Sequence, residues 1–284
     1  MTVKHIFPVL AAILTLACSK EPVKEEVVSA DLPLVVEGWI ESGNPPIVIV
    51  SSAVEASEEW NDVREISENV LRYAKVSVEH NGVSYPLSAR LSDEYMLQNY
   101  FTTGDLTGET GGEYRLTVEW KDKRATAVTT IPEPCPIEKL EPFQADPEVD
   151  KFALKATILN DMEGERFYKF FTWVENKDAG YKPSFMGTFS NINRGPVIDY
   201  TIQDNINYIE GGKDIFFHKG DIISVKLATT DETMYDFWRA FEENSLCAVL
   251  PFSSFIPNLK GNINGAKGYW AGYGISTERI CIEK

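Results

Sequence analysis

Histidine is nearly absent from this sequence, with three in 284 residues: His5, His80 and His218. His5 lies in the extreme N-terminal segment, and the other two stand far apart without a nucleophile in motif spacing. Hydrolysis through a His-activated Ser or Cys needs an imidazole within hydrogen-bond reach, so that route has little to draw on. Also missing are a Gly-x-Ser-x-Gly elbow, a His-Glu-x-x-His pair and a Gly-rich phosphate loop. Cations are scarce too: 27 Lys and Arg stand against 43 Asp and Glu, a formal net charge of −16. That surface repels phosphate backbones and anionic headgroups, which excludes nucleic acid as a partner. No apolar run reaches the roughly 20 residues a spanning helix needs. Of the four cysteines no two are close enough to share a metal ligand set, so no metal and no cofactor is expected.

What is present begins with a short leader. Lys4 and His5 precede an apolar stretch from Ile6 to Leu16, and Ala17 is the small residue before Cys18. This order predicts a bacterial lipoprotein signal over residues 1–17, cleaved before Cys18, whose thiol and new amino group receive the lipid. Thr15 holds the place three before the Cys where Leu is usual, with Leu14 one residue further away. A plain secretory signal that leaves a free Cys is the alternative. Cleavage removes Lys4 as the only charged Lys, Arg, Asp or Glu, so the mature chain is one charge more negative. Membrane affinity then rests on the lipid, and two or more acyl chains hold durably where one does not.

Residues 18–32 are polar and acidic and read as a flexible tether. Ordered structure is expected from Leu34-Val-Val-Glu-Gly-Trp-Ile40 and Ile47-Val-Ile-Val-Ser51, followed by Lys75–Glu79 and Val83–Leu87 around the hairpin signal Asn81-Gly82. Glu113–Trp120 alternates strictly and is answered by Arg124–Ile131, placing Tyr114, Leu116, Val118 and Trp120 on one face. Residues 33–133 therefore predict a β-sandwich of immunoglobulin-like or transthyretin-like type. Trp60, Val63, Ile66, Val70 and Tyr73 recur at roughly helical spacing, so Ser57–Tyr73 reads as an inserted loop with about two helical turns, the kind of place where binding groups sit. Pro132, Pro134 and Pro136 end that domain as a stiff extended linker.

Residues 134–284 predict a second β-rich domain with one short helix. Strands are legible at Phe152–Leu159, Phe167–Val174, Val197–Ile202 and Asp221–Leu227. Thr230 or Asp231 can cap a helix in which Met234, Phe237, Trp238 and Phe241 form an aromatic stripe against the sheet. Cys281, in the alternating run Glu278–Glu283, reads as a buried thiol in a strand. With Cys135 and Cys247 it leaves an odd number, so at most one internal disulfide forms and its pairing stays open.

At this point the chain resembles a known family. Leu34-Val-Val-Glu-Gly-Trp-Ile40, Gly112-Glu-Tyr-Arg-Leu-Thr-Val118 leading into Thr129-Thr-Ile-Pro-Glu-Pro134, and Phe252-Ser-Ser-Phe-Ile-Pro-Asn258 with Gly261–Gly265 and Gly268–Tyr273 resemble the domain-of-unknown-function 4249 lipoproteins of Bacteroidota-type outer membranes. The resemblance implies a two-part, mainly β protein, lipid-anchored at the outer membrane and assisting a TonB-dependent receptor. It carries no catalytic residues over. Ser19-Lys-Glu21 only partly matches an acidic surface-export signal, so the resemblance implies no choice between the cell surface and the periplasmic face.

The function expected from these readings is non-catalytic: capture of a ligand for a TonB-dependent transport complex. The alternatives are a structural or adhesive surface module, recognisable by an exposed sheet edge or patch, and a carboxylate-dependent hydrolase, recognisable by a cleft with two close carboxylates. Asn160–Glu165 resembles a calcium loop loosely but lacks the later bidentate Glu, and reads as a solvated turn. Trp39, Trp120 and Trp173 lie in strand patterns and are expected in the core. Trp60, Tyr73, Tyr269 and Trp270 lie in less regular segments and are the candidate ligand-binding aromatics. Asn262, Asn264, Gly265, Gly268 and Gly272 read as a turn-rich approach to the last strand.

Overall fold

Period-two burial generates most of the chain's structure. In a computed structural model, residues 33–53, 69–95, 97–146, 149–160, 163–205, 214–249 and 259–283 are described. The leader, Cys18, the tether up to residue 32, Trp60 with most of the inserted loop, and Phe252–Asn258 lie outside them. Among the described residues there are fourteen strands and one helix: β1 (Leu34–Glu41), β2 (Ile47–Ser52), β3 (Lys75–His80), β4 (Val83–Leu91), β5 (Asn99–Thr102), β6 (Glu113–Trp120), β7 (Lys123–Thr130), β8 (Lys139–Asp146), β9 (Lys151–Leu159), β10 (Phe167–Val174), β11 (Lys182–Ser190), β12 (Val197–Ile202), β13 (Ile222–Thr230), α1 (Glu232–Val249) and β14 (Lys267–Cys281). The protein is mainly β, of sandwich type.

The hairpin signals fold as their chemistry requires. Asn81 and Gly82 both take positive φ, 51° and 75°, which matches the right-handed twist of β3 and β4. Tyr114, Leu116 and Val118 on β6 are buried, as the alternation demands. Asp231 caps α1: its Oδ1 accepts the Met234 N–H at 2.8 Å.

The larger sheet has the order β11-β10-β13-β14-β1-β2-β5-β4-β3-β6-β7, and β12-β9-β8 form a smaller one. Strand β14 joins the two parts of the chain. Its first half, Lys267–Tyr273, pairs in parallel with Val35–Glu41, and its second half pairs antiparallel with Ile222–Thr229 of β13. The ladder thus continues across the boundary expected at residues 133/134, and the described residues between 33 and 283 belong to one compact unit.

The Gly-rich segment lies inside this strand instead of only leading up to it. A Cβ on Gly272 would sit 2.3 Å from the Thr130 carbonyl, so glycine is what lets the end of β7 lie across β14. The proline-rich connection continues along the same surface: the Ser276 hydroxyl donates to the Cys135 carbonyl at 2.6 Å, and Ile131, Cys135 and Ile137 are buried.

In the C-terminal part, the two faces of the larger sheet meet different partners. One packs on the small sheet around Leu154, Ile158, Tyr168, Phe170, Ile198 and Phe217. The other carries α1, with Met234 and Trp238 set against Ala228, Tyr269 and Tyr273. The Trp238 indole N–H donates to the Tyr273 hydroxyl at 2.8 Å.

Candidate functional site

The site is built from a lysine that the strand pattern forces inward. In β10, Tyr168 and Phe170 point into the core shared with the small sheet, so Lys169 and Phe171 face α1. The Lys169 side chain has no exposed surface and that of Glu242 on α1 has 8%. The ammonium donates to Glu242 Oε1 at 2.5 Å and to the Ser184 carbonyl at 2.9 Å. The same carboxylate oxygen accepts the Thr188 N–H at 3.1 Å and the Thr188 hydroxyl at 2.7 Å. Burial pulls the lysine below its ordinary range, and the Glu242 charge opposes that pull.

Ser184 and Thr188 flank an irregularity in β11. Opposite Lys169 stands Thr188, but opposite Phe171 stands Pro183, so β11 carries extra residues between them. Met186 in this bulge has φ +50°, a left-handed conformation that is unfavourable for a long side chain. Strain of this kind persists only where the surroundings impose it, and it gathers at functional sites. Here the constraints are visible: the Tyr200 hydroxyl donates to the Met186 carbonyl at 2.5 Å, and the Ser184 hydroxyl to the Gln203 carbonyl at 2.6 Å.

A cleft of about 280 Å³ opens between the bulge, the segment leading to β12 and the outer face of α1. Met186, Ile192, Arg194, Tyr200, Tyr235 and Arg239 line it, with Glu242 and Glu243 alongside. Phe189 and Tyr200 stack with centroids 4.2 Å apart, and the Arg194 guanidinium lies over both rings at 5.5 and 5.8 Å. Arg194 Nε donates to the Ser190 carbonyl at 2.8 Å, and the guanidinium has no carboxylate partner among the described residues. Arg239 is paired with Glu243 at 3.0 Å. Burial raises the Tyr200 hydroxyl to about 12, so it stays a donor at neutral pH. Such a surface can grip an apolar group and an attached anion.

The residues singled out from the sequence lie elsewhere. Trp60 and Cys18 lie outside the described residues. Tyr73 is 82% exposed in the turn before β3 and does not line the cleft. Tyr269 and Trp270 are packing residues, because β14 turns them to opposite faces of a covered sheet. Tyr269 packs on Phe237 at 4.9 Å, while Trp270 is fully buried and donates its indole N–H to the Tyr114 carbonyl at 3.0 Å. Trp39, Trp120 and Trp173, expected in the core, are only half-buried. Phe241, at the end of the helical stripe, is 37% exposed, and Cys281 is exposed because it closes β14 on its outer side.

The histidines are placed apart from the cleft: His80 stacks on Tyr114 at 4.5 Å and His218 Nε2 lies 3.3 Å from Asp214. Asp204 is held up at about 6 by burial, with the Asp178 charge adding to that shift against hydrogen bonds from Asn205 and Thr172. Neither aspartate lines the cleft. What the sequence reading passed over was a charge on an apolar face, twice. Lys169 interrupts Phe-Tyr-Lys-Phe-Phe, and Glu242 continues the Met234–Trp238–Phe241 stripe by one residue; a buried charge in either element asks for a partner.

With the geometry in place, comparison with known sequences adds a family. The Domain of unknown function (DUF4249) matches residues 20–279. The chain belongs to this family. No curated protein matches this DUF4249 chain. Among solved structures, a chain of a cytokine receptor complex is similar at 10% identity over 88% of this chain and 97% of that one, with a TM-score of 0.24, a likeness that carries no argument.

Proposed function

We propose that this DUF4249 protein is a non-catalytic outer-membrane lipoprotein, anchored through Cys18, that captures a ligand for a TonB-dependent receptor. The observation that supports capture is the state of the charges in the cleft. Glu242 is engaged by Lys169 and Thr188, and Glu243 by Arg239, so the acids there are tied down as structural partners. One guanidinium and an apolar wall face outward, which suits holding a molecule more than transforming it. The anchor follows from the order of residues 4–18, and the receptor from the resemblance of the Leu34–Ile40 and Gly112–Pro134 segments.

The test uses the full chain in its membrane. Radiolabelled palmitate should enter the protein and Cys18→Ser should abolish both labelling and membrane fractionation; an outer-membrane receptor should co-purify. Unlabelled protein, or purification without any receptor, overturns the proposal. A second reading, a carboxylate-dependent hydrolase, has Asp204 on its side because burial and Asp178 hold it near 6, in the range of a general acid. Hydrolytic activity that disappears in Asp204→Asn would favour it.

A further inference from the structure

We infer that the ligand of the β11–α1 cleft is a small organic monocarboxylate with an apolar or aromatic body, held by Arg194. The inference rests on the capture reading above and names what is captured. Three independent features converge on this chemistry.

The first is charge. Among the cleft-lining ions, Glu242 is balanced by Lys169 and Glu243 by Arg239, which leaves Arg194 as the charge without an opposite partner among the described residues. Its Nε donates to the Ser190 carbonyl and its guanidinium carbon lies 5.5 and 5.8 Å from the Phe189 and Tyr200 ring centroids, contacts that restrict how the two terminal nitrogens turn. A pair of parallel N–H donors matches the two oxygens of a carboxylate, and prior orientation lowers the entropy lost on binding. A dianion such as phosphate fits less well, because two carboxylates line the same cleft and the whole chain carries −16.

The second is the apolar wall. Met186 is 40% and Ile192 42% exposed, two large aliphatic side chains left in water beside the arginine. Met186 is kept there in a strained conformation by Tyr200, whose ring also backs Arg194. One residue thus positions both the apolar and the ionic contact.

The third is size. At about 280 Å³ the cleft falls just below the ~300–1,000 Å³ typical of drug-sized ligands, which suits a contacting group of about one ring or a short chain beyond the carboxylate.

Calorimetry on the full chain in detergent decides the matter with three probes: 4-phenylbutyrate, its neutral amide, and inorganic phosphate. The acid is expected to bind at least tenfold more tightly than the amide. Arg194→Gln should weaken the acid at least tenfold while leaving the amide unchanged, and Arg194→Lys should recover part of the loss. Equal binding of acid and amide, an Arg194→Gln protein with wild-type affinity, displacement of the acid by phosphate, or no binding of phenylbutyrate at millimolar concentration each overturns the inference. The comparison of acid with amide on the wild-type chain stands even if a variant fails to fold. Loss of carboxylate binding in a protein that still takes up palmitate and retains its receptor would sink this inference alone, leaving the anchoring and receptor partnership intact.

Discussion

Lys169 is a cation with no exposed surface, held in place by groups from two other elements. A buried pair gives little net stability over an apolar pair of the same volume, but removing one partner strands the other charge. Lys169→Met is therefore expected to destabilise the fold by about 3–5 kcal/mol in urea unfolding. Adding Glu242→Met should bring stability back to within about 2 kcal/mol of wild type, since it removes the stranded carboxylate and leaves only the Thr188 donors and the Ser184 carbonyl without their partners. If the double variant is no better than the single one, the pair is not coupled as the 2.5 Å contact implies.

At the level of elements, β14 decides the architecture. It supplies one ladder to β1 and another to β13, buries Trp270 on one face and offers Tyr269 and Tyr273 to α1 on the other. Its middle must approach the Thr130 carbonyl too closely for any side chain. Gly272→Ala should cost about 1–3 kcal/mol or more by overpacking, because the obstructing atom is backbone and cannot rotate away. An Ala variant whose thermal midpoint matches wild type would show that β7 and β14 are not in such contact. The bulge in β11 is the other decisive element. It alone places Met186 at the cleft, and a regular β11 would have turned that side chain with the period of the strand.

For the whole molecule, stability should vary with pH in two windows of opposite sign. Asp204 is raised from 3.8 to about 6 in the fold by burial, so the folded state holds its proton more tightly. Its contribution is fully present below about 4 and is lost as pH rises through about 6, a change of about 3 kcal/mol. Glu175 behaves oppositely. Hydrogen bonds from Arg279 and Ser224 hold it down at about 2, so its contribution is present above 4.5 and is lost as pH falls towards 2. Unfolding curves collected from pH 3 to 7 should show a decline above pH 4 that Asp204→Asn flattens; an unchanged profile in that variant would remove Asp204 as its source. The large acidic excess adds self-repulsion as the other carboxylates ionise, and salt should relieve that part while leaving the Asp204 step in place.

The sequence by itself determined most of the short segments that are strands, where the Asn81-Gly82 hairpin turns, that a helix starts at Thr230 or Asp231, and that the chain is mainly β. These are local properties: alternation is read over six or eight residues, and caps and turns over three or four. It did not disclose β5, which is only four residues long, or β8 and β11, whose exposed or bulged residues break the alternation, nor that Gly268 and Gly272 sit within a strand. The family was legible in segments such as Leu34–Ile40, because a match to related chains needs no knowledge of pairing. The cleft was not. Lys169 and Glu242 are 73 residues apart, and β1 meets β14 from the opposite end of the chain. Such meetings depend on which sheet edge each strand joins and on burial that removes water from both partners at once. Only the tertiary structure could therefore decide that Tyr269 and Trp270 are packing residues, that Lys169 is braced under a helix, and that Arg194 faces outward beside an uncovered apolar wall.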